Sequence, residues 1–276
     1  MQILEPKVEA WLPLCGMEEH IARCARVCYA SNKIGDNFLF AMALWKNNHR
    51  SMFRHAGVYY IIPKKLEIDP KAYIDADVHL HGFNYYVSTN AQAAKEYWDE
   101  KYRKYRIDTN SAFIDNSYFR KDKTLRITMC ITTGIDITRE FNRKSPNAIA
   151  EQSTRYVDFI KKIGIRFKQC HWMYGLSIYK YCLTRFMAKT AELFYRISRS
   201  KYGLNLPPED ARWILPLDTM SKVVYTYTIA EWERIINMRL WDSTGKAHPD
   251  AKAVATKIKD ELERIGFTIE KYNSKT

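Results

Sequence analysis

The chain is short of the residues that punctuate loops: 276 residues carry only 10 Gly and 9 Pro. That scarcity argues against a mostly disordered or all-β protein. No GxGxxG and no P-loop occurs, so kinase-like and Rossmann-type readings lack support. No apolar run approaches the ~18 residues a membrane span requires, so no membrane is expected. The opening "MQILEPKVEAWLPLCGMEEH" lacks a basic stretch followed by a long apolar core, and reads as no signal peptide. Six cysteines (Cys15, Cys24, Cys28, Cys130, Cys170, Cys182) form no CxxC pair. Without a secretion signal they read as reduced thiols, which points to the cytoplasm.

Acidic residues are the other shortage. Against 44 Lys and Arg stand 31 Asp and Glu, for a net charge of +13. Such a balance favours anionic partners: nucleic acid, nucleotides, phosphorylated cofactors or acidic lipids. The charge is spread along the chain, so a broad basic face and a phosphate-binding cleft both stay open. A 46% hydrophobic share supports a sizeable core, and 19 Tyr predict many half-buried rings with polar ends.

Periodicity predicts helices over 16–30, 37–48, 91–105, 171–203, 219–242 and 249–266, with a helix start at 207–216 and a short helix at 139–144. "AGVYYIIP" (56–63) and "LRITMCITTGI" (125–135) read as strands. Residues 64–125 otherwise read as polar and irregular. The fold class expected is α+β: one domain over 1–276 with a small antiparallel sheet, a larger helical part and an insertion at about 64–125.

The stretch "REFNRKSPNAIAEQSTRY" (139–156) concentrates cations around small residues. If extended, Glu151, Ser153 and Arg155 project to the same side. A hydroxyl, a guanidinium and backbone N–H groups on one side suit a phosphate, because Arg offers a bidentate fork and amides bring no charge to desolvate. A solvated charged turn is the plainer alternative.

The stretch resembles the signature of the flavin-dependent thymidylate synthases, R-H-R-x-x-S-x-N-E-x-S-x-R-Y. Arg143, Glu151, Ser153, Arg155 and Tyr156 match it without a gap. "HRSMFRH" (49–55) resembles the family's H-x-S-x-x-E-H through His49, Ser51 and His55. "ARVCYAS" (25–31) looks like the end of the family's first helix. "EDARWILP" (209–216) and the segment to Leu240 are similar to E-x-A-R-x-x-L-P and the helix after it, placing Arg212 and Arg239 on its two arginines.

The resemblance implies a homotetramer that methylates dUMP at C5, with methylenetetrahydrofolate as carbon donor, FAD as hydride source (FMN being the alternative) and NADPH as reductant. It implies that Ser153, Arg155, Arg212 and Glu140 bind the deoxypyrimidine monophosphate. Arg239, Glu151 and Arg143 take catalytic roles, Arg239 against the pyrimidine carbonyl edge. His49, Ser51, Arg54, Arg143, Lys144, Ser145 and Arg234 fall on the flavin side.

Departures cluster on that flavin side: Lys144 replaces His, Ser145 Arg, Ala150 Asn, Arg54 Glu, Ala230 Arg and Arg234 Asn. The nucleotide-side arginines are kept. Altered flavin binding is one reading; drifted one-carbon chemistry is another, in which water captures the methylene on C5 and yields a 5-hydroxymethyl pyrimidine from dUMP or dCMP. The insertion, with "HLHGFNYYV" (79–87), offers a cover over the site. A competing reading is a basic nucleic-acid-binding or regulatory protein on an inactive scaffold. His79, His81, Cys24 and Cys28 find no further ligand by spacing, so no metal site is expected. "KEYWDEKYRK" (95–104) reads as a solvated helix.

Overall fold

Two antiparallel four-stranded sheets carry the structure, and α1 (Met17–Cys28) lies between them. The computed structural model describes residues 1–31, 35–142 and 148–272. The first sheet runs β2 (Lys7–Trp11), β7 (Arg126–Gly134), β10 (Met220–Thr228), β8 (Ile149–Glu151). The second runs β4 (Asp77–His81), β5 (Asn84–Asn90), β3 (Gly57–Pro63), β6 (Arg106–Ile107). A parallel pair joins β1 (Gln2–Leu4) to β9 (Arg166–Lys168). The class is therefore α+β as expected, with more sheet than the sequence suggested.

Alternation along β7 sets the layers. Ile127, Met129 and Ile131 join one core with Val223, Tyr225 and Tyr227 of β10. That core is closed by α5 (Ile229–Arg239) through Trp232, Ile235 and Ile236, and by α6 (Pro249–Arg264) through Val254, Ile258 and Leu262. Cys130 points the other way, onto Cys24 and Val27 of α1. The opposite face of α1, with Ile21 and Ala25, packs with α2 (Asn37–Lys46) against Val58, Tyr60 and Val87 of the second sheet.

A polar seam crosses this sandwich. His20 Nε2 lies 2.8 Å from Thr128 Oγ1, which lies 2.6 Å from Thr226 Oγ1, which lies 2.8 Å from His55 Nδ1. Burial leaves both imidazoles poorly able to hold charge, and their pKa values are pushed down to about 4 for His20 and about 3 for His55.

Three expectations need correction. Residues 219–242 are not one helix: "MSKVVYTYT" is β10, and α5 begins only at Ile229. Its β-branched and aromatic side chains suit the central strand they occupy, buried on both faces. Residues 64–125 are not irregular, since β4 and β5 form a hairpin whose tip is Gly82–Phe83, with Gly82 at φ +57°. The helix expected over 171–203 starts only at α4 (Ile178–Arg199), because the chain first turns at Gly175, φ +73°. The helices expected at 16–30, 37–48 and 249–266 are present as α1, α2 and α6, and residues 91–105 follow a helical path with wide turns over Ala94–Trp98.

Candidate active site

β8 ends at Glu151, where its pairing with β10 stops opposite Val223. The chain then turns rather than staying extended. Ser153 Oγ accepts from the backbone N–H of Arg155 (3.1 Å) and of Tyr156 (3.3 Å), and Ser153 N–H donates to Cys28 O at the end of α1 (2.9 Å). The extended projection expected for Glu151, Ser153 and Arg155 thus holds only to Glu151, because the serine hydroxyl captures the following amides.

The three residues nevertheless line one cavity of about 650 Å³, whose far wall carries Arg212 and Trp213. Its third side is α3 (Ile135–Phe141), which contributes Thr138 and Arg139. Arg212 Nη1 donates to Thr154 Oγ1 (2.9 Å), and Arg155 Nη2 lies 3.5 Å from Glu209 Oε2. Both guanidinium groups are exposed and lightly held. Three arginines facing one space make a strongly positive pocket with planar donors.

Glu151 is the acidic member. Burial pushes its carboxyl above the usual range, opposed by the hydrogen bond donated by Thr138 Oγ1 to Oε1 (2.9 Å). Arg139, missed by the sequence reading as a site residue, also works to lower it. Arg139 opens the charged stretch that carries the family signature, and that position in the stretch was the available signal.

Arg239 does not join these groups within one chain. Its Nη1 lies 3.1 Å from Glu140 Oε2 and its Nη2 donates to Glu140 O (2.7 Å). Together with Arg234 they line a second cavity of about 750 Å³. Successive residues of α3 divide the two spaces: Arg139 lines the first, Glu140 the second.

The expected flavin-side residues are dispersed. His49 and Ser51 are exposed at the turn Arg50–His55. Arg54 donates to Gln92 Oε1 (3.0 Å) and faces Asp75 at 3.8 Å, in a smaller cavity of its own. Arg143, Lys144 and Ser145 lie outside the described residues. A further cavity of about 400 Å³ was not foreseen: Arg23, Arg26, Lys162, Arg166 and Lys222 line it against one carboxylate, Glu19. Gln152 borders both this basic cavity and the Glu151 cavity.

His79 and His81 both face Asp122, His81 Nε2 at 2.5 Å, and do not meet Cys24 or Cys28. All six cysteines are free thiols. Among the described residues no helix is long and apolar enough to cross a membrane.

A family model described as "Thymidylate synthase complementing protein" matches residues 83–265, starting inside the segment read as an insertion. Among solved structures, the UMP/dUMP methylase PolB from Streptomyces cacaoi, bound with 5-Br dUMP, aligns at TM-score 0.45 and 14% identity. That alignment covers 96% of this chain and 93% of that one. Thymidylate Synthase X (ThyX) from Helicobacter pylori, with FAD and dUMP, aligns at TM-score 0.37 and 17% identity, over 55% of this chain and 75% of that one. No curated protein matches the chain. With the family model matched over most of its length, the chain belongs to the thymidylate synthase complementing proteins, a family of thymidylate synthase-like enzymes.

Proposed function

We propose that this chain transfers a one-carbon unit from methylenetetrahydrofolate to C5 of a deoxypyrimidine monophosphate, with flavin as the hydride source. The observation that carries the reading is the convergence of Arg139, Arg155, Arg212, Ser153 and Glu151 on one cavity. Arg155 and Arg212 are half free to grip a phosphate dianion, and Ser153 fixes the turn that presents Arg155. Glu151, held by Thr138 and half-buried, orients the base by accepting from or donating to its edge.

FAD, when bound, supplies the hydride. The donors present fit its phosphates better than they fit its ring. The basic cavity beside Gln152 offers five cations to a pyrophosphate, with Arg23, Arg26 and Arg166 as planar forks. Of the residues expected on the flavin side, His49 and Ser51 are exposed and Arg54 is held by Gln92 and Asp75. This supports flavin held in an altered manner, and by more than one chain.

Assembly is the second part of the proposal. α4 exposes Ile178, Tyr179, Phe186, Met187, Leu193 and Phe194 to solvent, an apolar surface that a monomer does not sustain over 22 residues. A second copy covering α4, within a homotetramer, fits this surface. In such an assembly Arg239 of one subunit can face the nucleotide of another, and Arg234 its flavin, which reconciles their separate cavity with the roles the resemblance implies.

Incubating the protein with dUMP or dCMP, reduced flavin and methylenetetrahydrofolate, then weighing the nucleotide, tests the reading. A methyl gain indicates synthase chemistry, and a hydroxymethyl gain indicates capture by water. Unaltered nucleotides from a colourless protein that binds DNA with steep salt dependence would replace it with a nucleic-acid-binding role on the same fold.

A further inference from the structure

Beside Lys168, the last residue of β9, two imidazoles and a carboxylate meet away from the nucleotide cavity. His171 belongs to the turn His171–Met173, while His248 and Asp250 open α6. His171 Nδ1 lies 3.2 Å from Asp250 Oδ1, and His248 Nδ1 lies 4.0 Å from Asp250 Oδ2. The nearest donor atoms of the three all lie within 4.8 Å of one another, the only such trio of His, Cys, Asp or Glu among the described residues. Both imidazoles are exposed, whereas the carboxylate is 6% exposed. We propose that His171, His248 and Asp250 form a binding site for one divalent transition-metal ion of the zinc class, with a coordination position open to solvent.

Four observations support the assignment. Two imidazoles and a carboxylate are the ligand set that Zn²⁺ and its neighbours prefer over Ca²⁺ or Mg²⁺. In a tetrahedral zinc site the ligand atoms stand about 3.3 Å apart, so the His171–Asp250 edge is already of the right length, and His248 joins it by turning inward from its 4.0 Å contact with Oδ2, giving up the hydrogen bond its Nδ1 accepts from Asp250 N–H.

The local charge also calls for a cation. Lys168 is 2.7 Å from Asp136, 2.6 Å from Asp250 and 3.4 Å from Asp218. It is the only Lys or Arg paired with any of the three among the described residues, so three carboxylates share one ammonium. This acidic excess sits in a chain of net charge +13. Lastly, the Asp250 carboxylate is already oriented. Lys168 Nζ occupies Oδ2, while the backbone N–H of His171 donates to Oδ1 at 2.7 Å, steadying the group beside both rings.

The site pins the turn after β9 to the start of α6. His248 also lines the Arg239 cavity, so the ion would stand at that cavity's rim. Positions 171 and 248 share no motif, and spacing along the chain could not have joined them. The inference is independent of the nucleotide reading.

The test uses tag-free, chelator-stripped full-length protein titrated with Zn²⁺ against a chromogenic chelator, and with Co²⁺ by absorbance. The expected result is one equivalent per chain, visible Co²⁺ bands of a low-coordinate nitrogen and oxygen site, and a Zn²⁺-dependent rise in melting temperature. His171→Gln and His248→Asn should each weaken binding at least tenfold and abolish that rise. Asn at position 248 keeps an acceptor for the N–H of Asp250, so helix capping survives and a lost metal signal is not a folding defect. Failure of the native protein to compete with the chelator, or undiminished binding by both variants, overturns the proposal.

Discussion

Arg239 and Glu140 form a two-point contact, guanidinium to carboxylate and guanidinium to the same residue's carbonyl, across the groove between α5 and α3. A side chain expected at the pyrimidine is thus held in reserve by an acid of its own chain. Glu140→Gln weakens that hold without removing the carbonyl acceptor. The expected outcome is a gain in nucleotide affinity of a few-fold in the assembled protein, whereas Arg239→Ala lowers turnover by at least tenfold with little change in melting temperature. Calorimetric titration with dUMP and steady-state kinetics check both.

Arg155 and Arg212 face a common space from different segments, and neither is buried by its present partner. Losing a charge-assisted hydrogen bond costs about 1.5–3 kcal/mol, or roughly 10–100-fold in dissociation constant. Arg155→Ala and Arg212→Ala should each weaken dUMP by that factor, and Arg139→Ala by a similar one. Equilibrium titration in low and high salt reads this directly. Unchanged affinity in Arg155→Ala and Arg212→Ala together would remove the phosphate from this cavity.

How much of this was legible is instructive at two places. The motif around Glu151–Arg155 and the arginine of "EDARWILP" could be read as partners from the family resemblance alone, and they do line one cavity. The separation of Arg239 could not, because it depends on which face of α3 each neighbour takes. The error at 219–242 had a visible remedy. Thr228 and Glu231 form a capping box, with Thr228 Oγ1 accepting from Glu231 N–H and Glu231 Oε2 accepting from Thr228 N–H. That "TIAE" signature marks a helix beginning, so what precedes it is not helix. Burial on both faces had erased the alternation that would have announced β10.

Acid should loosen the fold through its seam. His20 and His55 have folded pKa values lowered to about 4 and about 3, below the ordinary histidine value. The unfolded chain therefore binds protons first. Stability is fully present above about pH 6.5 and is lost as pH falls toward the folded values, by about 1.4 kcal/mol per histidine per pH unit at most. Urea midpoints at about pH 7 and about pH 5.5 should differ accordingly. His55→Asn should flatten the difference while lowering the midpoint at neutral pH.

The exposed face of α4 predicts self-association. Phe186 and Met187 are 67% and 65% exposed in the single chain. Light scattering should find native protein larger than a monomer, and Phe186→Glu with Met187→Glu should shift it toward smaller species while circular dichroism stays unchanged. A monomeric native protein would leave the shared-site proposal without support.

Lys168 has a 1% exposed side chain at the centre of three carboxylates. Burial works against its charge, but the hydrogen bonds to Asp136 and Asp250 outweigh it and keep the ammonium protonated across the ordinary range. Lys168→Met strands the buried Asp250 carboxylate, at a cost of about 3–5 kcal/mol. Chemical unfolding should show that loss at neutral pH.

The bond from Ser153 to Cys28 couples the cavity floor to α1, which is itself stitched to the first sheet by His20 and Thr128. A nucleotide therefore cannot pull that floor inward without dragging a helix wedged between two sheets. Accommodation to different bases has to come from the opposite bank, where Arg212 hangs on a single hydroxyl, so variation in substrate taste should accumulate around Arg212 and Trp213 and spare the serine turn.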